Sequence, residues 1–477
     1  PQTIHPVKVY SQDYSILWGM GKYAYEFGTG TGGFSLFGDG RNGNLTVTSG
    51  QTLTLNTTFA NITGSAGSTT ATVSSSTNFS IGDLVLIHQT QGTSDVGKWE
   101  YNFIASISGT TWTLARALMN TYSNSSGKAQ VIKIPQYHNV TVQSGGTITT
   151  PSWDGSTGGI TAFVANGTVT VAGTITANGS GYRLGDRGEY LDPIRSQGWQ
   201  GESTIPGSAQ TRNNNVGGGG GGNGDNDSSC GDDKCEGAGG GGGGYGTGGT
   251  SGQNSSTVFL GGLGGTVYGT GNLLSSVTFG SGGGGGGSDG DNATKYGGYG
   301  GSGGGILFIS GQQVNITGPT TSNGNNGLSG ASHDNARTGG GGGGSGGSIL
   351  ITGSNVTLGG TSITTLGGIG GVGLNGGGNG GNGGLGRIYV QYCETISGST
   401  NPAAVTNKIS CHISEQVETS PYTTTRLQIP ESFTSPQTYA IKYGRRLVFS
   451  APGSQTTTLQ LPAGYLKSAE LDVLISN

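Results

Sequence analysis

Four runs of six consecutive glycines leave this chain few ways to fold. They occupy residues 217–222, 239–244, 282–287 and 339–344, in a chain in which 104 of 477 residues are Gly. Each Gly inside a helix or strand costs about 0.5–1 kcal/mol relative to Ala, so neither element is expected there. The runs are therefore either flexible linkers or an ordered structure that uses the missing side chain.

We predict that the runs are ordered. Extended left-handed helices with three residues per turn can pack side by side and exchange backbone hydrogen bonds when no Cβ separates them. Equal run lengths favour this structure, because a linker has no need to keep one length. Tyr245, Tyr296 and Tyr299 adjoin the runs, and we expect them to cover the glycine layer.

Composition excludes several classes of protein. The glycines lack the G-X-Y period of collagen. The formal net charge is −4 and no basic block occurs, which argues against a nucleic-acid partner. No apolar stretch reaches the length of about 18 residues that a membrane span needs. The chain begins at Pro1 instead of Met, which indicates a removed leader or a piece of a longer product.

A repeated segment predicts the core architecture. Copies that alternate apolar and polar residues follow Gly159, Gly305 and Gly347, and a partial copy follows Gly386. Each full copy has about 20 residues, enough for one turn of a parallel β-helix. Inward side chains of one turn stack on those of the next, so no single turn is stable alone. A β-sandwich with similar strands is the alternative.

The predicted fold class is all-β: parallel β-helix-like repeats with ordered Gly-rich loops, an inserted small β barrel and a C-terminal β domain. The first residues contain strand-like pieces without a local partner, which predicts an assembly strand for another subunit or a cap on the chain's own β-helix. The predicted divisions are an N-terminal extension (1–35), first β-helix strands (36–75), the inserted β domain (76–142), the Gly-rich β-helix (143–400) and the C-terminal β domain (401–477).

Cysteine spacing predicts two disulfides. Cys230 and Cys235 enclose four residues, and Cys393 and Cys411 flank a Ser/Thr-rich turn and the segment after it. Two short-range pairs indicate an oxidising, extracellular setting. Four free thiols are the alternative.

N-x-S/T sequons are more frequent than chance composition predicts, which indicates a glycosylated extracellular surface. Alternating strand sequences rich in Asn and Thr would generate the same excess. The candidate glycosylation sites are Asn56, Asn139, Asn166 and Asn315.

One acidic loop has the spacing of a calcium site. Asp225, Asp227, Ser229 and Glu236 stand at positions 1, 3, 5 and 12 of a twelve-residue loop, as the ligands of an EF-hand do. Position six is Cys230 where Gly is expected, and no helices flank the loop. The alternative interpretation is a solvated acidic loop closed by a disulfide.

Charged residues are densest between Arg183 and Arg195. Acid/base hydrolysis on a β-helix would need carboxylates held together, and Asp186, Glu189 and Asp192 are the best trio outside the cysteine loop. Three interleaved arginines favour a salt-bridged loop instead.

The Gly runs and the segments 198–203, 303–307 and 384–388 resemble the Gly-rich repeat modules of large secreted bacterial surface proteins, some labelled adhesin-like or gliding-motility-associated. The likeness covers roughly residues 36–400. It implies an extracellular structural or adhesive role and supplies no catalytic residues. A second, looser likeness is to the Gly-rich tips of phage tail fibres, built from ordered polyglycine layers.

The sequence thus predicts an extracellular structural or adhesive protein, not an enzyme, that assembles into a filament or surface layer. The predicted partners are further copies of the chain and surface glycans, with calcium as the one candidate cofactor. The alternatives are a carbohydrate-active β-helix enzyme or binding module and a receptor-binding phage tail fibre.

Overall fold

The computed structural model describes residues 37–125, 127–189, 196–206, 209–225, 236–289, 294–331 and 336–409, together with four short strands between 423 and 461. Residues 37–409 form one compact unit, and residues 1–36 with 410–477 form a second. Strands are numbered in chain order. In the described ranges the one helical element is a 3-10 turn at Gly360–Ser362.

Two parallel sheets form a β-helix, as the repeats predict. The first sheet consists of β1 (Leu45–Val47), β9 (Gln136–Tyr137), β10 (Val140–Val142), β12 (Ile160–Val171), β14 (Ile306–Ile316), β16 (Ser348–Leu358), β18 (Arg387–Ser397) and β19 (Val405–Lys408). The second consists of β2 (Thr52–Thr54), β11 (Thr147–Thr149), β13 (Thr174–Thr176), β15 (Thr320–Thr321) and β17 (Ile363–Thr364). The strand order is β1-β10-β12-β14-β16-β18-β19 in the first sheet, with β9 beside β12, and β17-β15-β13-β11-β2 in the second.

The repeat copies stack in register in the first sheet. Ile160 lies opposite Ile306, Ile306 opposite Ser348, and Ser348 opposite Arg387. Val171, Ile316 and Leu358 share another register position. All three belong to the buried core between the two sheets. Burial of this stack, at about 1.5–3 kcal/mol for each large apolar side chain, stabilises turns that are too small to fold alone.

The inserted domain is a closed barrel of antiparallel strands. These are β3 (Phe59–Thr63), β4 (Thr70–Val73), β5 (Leu84–Gln91), β6 (Trp99–Ser108), β7 (Thr111–Leu114) and β8 (Lys128–Lys133), closed in the order β3-β4-β7-β6-β5-β8. The barrel begins at Phe59, not near residue 76 as predicted. Residues 59–73 were assigned to the β-helix because their apolar and polar residues alternate as those of the β-helix strands do. Residues 136–142 belong to the β-helix, although the sequence analysis assigned them to the insert.

Buried polar contacts join the barrel to the rest of the unit. His88 Nε2 lies 2.9 Å from the carbonyl oxygen of Val277, and Trp99 Nε1 donates to the carbonyl of Leu273 at 3.0 Å. The Trp99 ring also packs edge-on against Phe308 of β14, with ring centroids 4.9 Å apart. The barrel is therefore fixed against the β-helix and against the segment that precedes the third glycine run.

The glycine runs are ordered, as predicted. They belong to a set of extended strands, here called the glycine lattice, that leave the β-helix and return to it between β13 and β14, between β15 and β16, and between β17 and β18. The lattice strands are the segments 182–189, 196–203, 217–224, 237–246, 249–253, 261–266, 280–289, 297–305, 322–331, 338–347, 366–374 and 377–386.

Hydrogen bonds between lattice strands repeat every third residue. Gly240 and Gly243 donate to the carbonyls of Gly340 and Gly343, each at 2.9 Å. The residue after Gly240 instead donates to Gly220 at 2.8 Å, and the next one to Thr250 at 2.9 Å. A helix with three residues per turn therefore contacts a different neighbour on each of its faces. This exchange satisfies backbone groups that neither a helix nor a sheet pairs.

Close approach of the strands explains why Gly is required. All residues of the four six-glycine runs are buried. A Cβ built on Gly219 would meet the carbonyl oxygen of Gly241, and one on Gly284 would meet that of Gly220, both far inside the 3.0 Å that real Cβ atoms do not cross. A side chain at these positions would push the strands apart and break the hydrogen bonds.

Within its described residues, the second unit contains two antiparallel pairs of strands. β20 (Thr423–Arg426) pairs antiparallel with β23 (Thr458–Leu461), and β21 (Gln437–Ala440) with β22 (Arg446–Phe449). The predicted C-terminal domain began at residue 401, but β19 still pairs in parallel with β18 and belongs to the β-helix. The predicted assembly strand or cap in 1–35 lies outside the described residues.

Candidate functional site

Side chains reach the surface of the lattice at intervals of three residues. Strand 297–305 reads Gly-Gly-X, so that two faces of each turn pack against neighbours and one face carries a side chain. Tyr296, Tyr299 and Ser302 follow this spacing and are all partly exposed. The number of glycines per turn thus indicates how many sides of a strand are buried.

The aromatic end of this strand lies far from the β-helix. Gly305 leads directly into β14, and Tyr296 precedes it by nine residues. At about 3.1 Å per residue, the Tyr296 end lies about 30 Å out along the lattice. We call this end of the lattice, with residues 187–189, 294–299 and 328–331, the distal end.

Three neighbouring strands bring the distal residues together. Gly297 donates to the carbonyl of Gly188 at 3.2 Å, which aligns Arg187 with the tyrosines. Leu328 donates to the carbonyl of Tyr299 at 2.8 Å on the opposite side. The result is an open cleft of about 430 Å³, lined by Arg187, Thr294, Tyr296, Gly297, Gly298, Tyr299, Leu328, Ser329 and Ala331.

Arg187 stacks on both tyrosines of the cleft. Its guanidinium carbon lies 3.4 Å from the ring centroid of Tyr296 and 4.8 Å from that of Tyr299. Both are cation–π distances, and they place the guanidinium over the faces of both rings. Leu328 is 56% exposed beside them. The cleft therefore combines aromatic surface, an aliphatic edge and a fixed cation.

The positive charge of Arg187 is only weakly paired with a carboxylate in the cleft. Its Nε atom lies 3.6 Å from the Glu189 carboxylate, beyond hydrogen-bond distance. This buried Nε has no hydrogen-bond partner among the described residues. The Glu189 side chain is itself 56% exposed.

A cluster of four charged side chains lies on the lattice strands next to the cleft. Arg337 NH1 contacts the Glu236 carboxylate at very short range, and the Arg337 backbone N–H donates to Asp289 Oδ2 at 2.9 Å. Lys295 Nζ lies 4.0 Å from the same Asp289 oxygen, and both side chains are almost fully buried. These charges are paired with one another, which is the way charges are tolerated inside proteins.

The predicted calcium loop lies only partly in the described ranges. Asp225 and Glu236 are both buried, whereas Asp227 and Ser229 lie outside the described residues. Glu236, the position expected to bind calcium with both oxygens, is engaged by Arg337. Within the described ranges, no group of three His, Cys, Asp or Glu side chains is arranged to hold a metal ion.

The mixed-charge segment contains ion pairs. Arg183 binds the buried Glu202 carboxylate through Nε and NH2, both at 3.1 Å, and this hydrogen bonding raises the pKa of Arg183. Glu202 also accepts from Trp153 Nε1 at 3.1 Å. Of the three carboxylates considered for catalysis, Asp186 and Glu189 are exposed and Asp192 lies outside the described residues.

The four candidate glycosylation sites differ in exposure. The Asn56 side chain is buried, donates to the carbonyls of Lys133 and Ala162, and accepts from the Ala162 N–H at 2.9 Å. A glycan at Asn56 would break these contacts, which disfavours that site. Asn139 and Asn166 are partly exposed, and Asn315 is exposed.

Cys393 lies buried in β18 and is disulfide-bonded. Its predicted partner Cys411 lies outside the described residues, as do Cys230 and Cys235, so both pairings stay predictions.

A second cleft lies where the barrel meets the lattice. It has a volume of about 360 Å³ and is lined by residues 92–96, 204–205, 268–269 and 278. Its described lining residues include one tyrosine and no cation, in contrast to those of the distal cleft. The distal cleft is therefore the stronger candidate site.

This site was not predicted from the sequence. Tyr296 and Tyr299 were expected to cover the glycine layer and Arg187 to lie in a salt-bridged loop, without a contact between them. The period of three in Gly-Gly-X strands would have placed both tyrosines on one exposed face. The contact with Arg187 depends on lateral strand order, which local spacing does not reveal.

Comparison with known proteins identifies no family. No family model matches the chain, and no curated protein matches it. Among solved structures, the Gp54 tailspike of Acinetobacter baumannii bacteriophage AP22, in complex with A. baumannii capsular saccharide, is 17% identical over 28% of this chain, with a TM-score of 0.17. The Pseudomonas phage phi297 tailspike gp61 is 15% identical over 28%, with a TM-score of 0.15.

The tailspike protein gp49 of Pseudomonas phage LKA1 is 11% identical over 90% of this chain and 84% of its own, with a TM-score of 0.17. For the other two, the matched region covers only 27% and 24% of the tailspike chain. At these TM-scores, none of the three similarities carries an argument about function. In the described part of the chain, no helix has the length and apolar character of a membrane span.

Proposed function

We propose that this chain is an extracellular adhesive protein that binds surface saccharides in the distal cleft. The observation that carries the proposal is the stack of Arg187 on Tyr296 and Tyr299 in an open cleft. Aromatic rings offer flat apolar surface to the C–H faces of a sugar, and the polar groups of the cleft offer hydrogen bonds to its hydroxyls.

The lattice supports this function by its stiffness. Its backbone groups are paired between strands, so the cleft is preorganised before a ligand arrives. Binding then costs little conformational entropy in the protein. A stiff projection about 30 Å long also carries the cleft away from the β-helix, toward a partner surface.

We propose binding without cleavage. The described residues that line the distal cleft include no Asp or Glu, and the buried Glu202 carboxylate is held by Arg183. Retaining or inverting hydrolysis needs one carboxyl group as acid and a second as base or nucleophile.

Two biological settings suit the same cleft. A cell-surface adhesin would self-associate into a filament or layer, and a phage receptor-binding fibre would trimerise. Electron microscopy of the native material distinguishes a regular polymer from a discrete trimer.

The proposed function is tested by binding to immobilised capsular and cell-wall polysaccharides. We expect the wild type to bind at least one of them and Tyr299→Ala to lose that binding. Tyr392→Ala is the matched control, because Tyr392 also lies under a cation, Lys408, but on β18. A Tyr299→Ala protein that binds as the wild type does, or a wild type that binds none of the polysaccharides, contradicts the proposal.

A further inference from the structure

We infer that the distal cleft selects acidic saccharides, those with a carboxylate on the sugar ring. The inference rests on the proposed function and specifies its ligand class. The group that would recognise the carboxylate is the Arg187 guanidinium. A planar guanidinium binds a carboxylate through two parallel N–H donors, a geometry that a hydroxyl cannot match.

Arg187 is positioned at the aromatic surface of the cleft. Its guanidinium carbon lies 3.4 Å from the Tyr296 ring centroid, so the ring covers one side of the guanidinium, and the N–H donors that the ring does not cover can bind a ligand. The side chain is 22% exposed, so it is partly shielded but still reachable. A ligand carboxylate at that edge would stand next to the aromatic surface that receives the sugar ring.

The charge of Arg187 has no close internal partner among the described residues. Its Nε atom makes no hydrogen bond to them, and the Glu189 carboxylate lies 3.6 Å away. Because Nε itself is buried, a ligand carboxylate would meet the terminal NH1 and NH2 groups of the guanidinium. A carboxylate oxygen is the acceptor that gains most from a cationic donor.

Glu189 does not prevent this recognition. The Glu189 side chain is 56% exposed and lies beyond hydrogen-bond distance of Arg187 Nε, so the pair contributes little to stability. The Glu189 carboxylate can therefore turn toward water when a ligand carboxylate replaces it. The opposite preference, for an amino sugar held by Glu189 and Asp186, would leave the Arg187 charge facing a second cation.

Isothermal titration calorimetry with three tetrasaccharides tests the inference: tetragalacturonate, its methyl ester as the neutral match, and a chitosan tetramer. We expect the wild type to bind the free acid about tenfold or more tighter than the ester, in line with a charge-assisted hydrogen bond. This preference should fall as salt is added. Arg187→Gln should bind acid and ester equally, whereas Arg41→Gln, on an exposed arginine paired with Asp39, should keep the preference.

Two results would overturn the inference. One is an Arg187→Gln protein that retains the preference for the acid. The other is a wild type that binds the ester or the chitosan tetramer at least as tightly as the acid. In either case the proposed function survives if Tyr299→Ala still abolishes polysaccharide binding. It fails separately if the wild type binds no polysaccharide.

Discussion

Gly221 lies directly against the backbone of Gly198, and a Cβ atom at 221 would overlap the Gly198 carbonyl oxygen. The N–H of Gly198 in turn donates to the carbonyl of Gly222 at 2.9 Å. The two strands thus touch backbone to backbone. Glycine is required at residue 221 because there is no room for a Cβ atom between the two strands. Neither Gly198 nor Gly221 has a positive φ angle.

Replacing Gly221 by Ala should destabilise the protein. The added methyl group must displace a neighbouring backbone, and overpacking of this kind costs about 1–3 kcal/mol or more. Chemical denaturation of Gly221→Ala should show this loss of unfolding free energy. Gly271→Ala is the control, since its Cβ would meet nothing closer than 4.0 Å. Equal stability of the two variants would contradict the packed lattice.

Acidification should weaken the barrel junction through His88. Burial lowers the pKa of His88 to about 4, from an ordinary value of 6.5. As the pH falls through this interval, only the unfolded chain takes up the proton, so folding stability present above pH 6.5 is lost toward pH 4. The loss is at most about 3 kcal/mol.

His88→Gln should remove this pH dependence. Burial raises the pKa of Glu100, which stabilises the folded state on acidification, but Glu100 is present in both proteins. The difference in unfolding free energy between wild type and variant, measured from pH 7 to pH 4, therefore isolates His88. A difference that does not change over this interval would disprove the assignment.

Trp99 should connect the stability of the barrel to that of the β-helix. Trp99→Phe removes the donor to the Leu273 carbonyl and should cost about 1 kcal/mol. Trp99→Ala also removes the packing against Phe308 and should cost about 3–5 kcal/mol. Tryptophan fluorescence and far-UV circular dichroism should report one common transition for each variant. Two separate transitions in the wild type would show that the barrel folds independently.

Calcium should leave the thermal stability unchanged. Glu236 is neutralised by Arg337, so a cation would have to displace an existing ion pair. Differential scanning calorimetry with calcium and with EDTA should give the same Tm. A higher Tm in calcium would instead support the predicted loop site with Asp227 and Ser229.

Much of the β-helix and the order of the runs were predictable because both depend on local spacing. Repeats that follow Gly159, Gly305 and Gly347 align in the sequence as they align in the sheet. The predicted start of the barrel was wrong because β3 and β4 have the same apolar–polar alternation as the β-helix strands. Only the strands with which they pair distinguish β3 and β4 from β-helix strands.

The distal cleft was less predictable. Arg187 and Tyr296 are more than one hundred residues apart, and their contact depends on which lattice strands are neighbours. A glycine run exposes no side-chain pattern that would specify its neighbours. The glycines per turn give the depth of a strand in the lattice, but they do not give the order of strands around it.

Amide hydrogen–deuterium exchange of the glycine runs tests the central claim most directly. The N–H groups of residues 217–222, 239–244, 282–287 and 339–344 all donate hydrogen bonds from buried positions. Most of them donate to backbone carbonyls of neighbouring lattice strands, whereas Gly217 donates to the Ser203 hydroxyl and Gly218 to the carbonyl of Asn215. Peptides from these runs should therefore exchange as slowly as those from β12, β14 and β16. Exchange at the rate of an unstructured glycine peptide, while the β-helix strands stay protected, would contradict the ordered lattice and the cleft built on it.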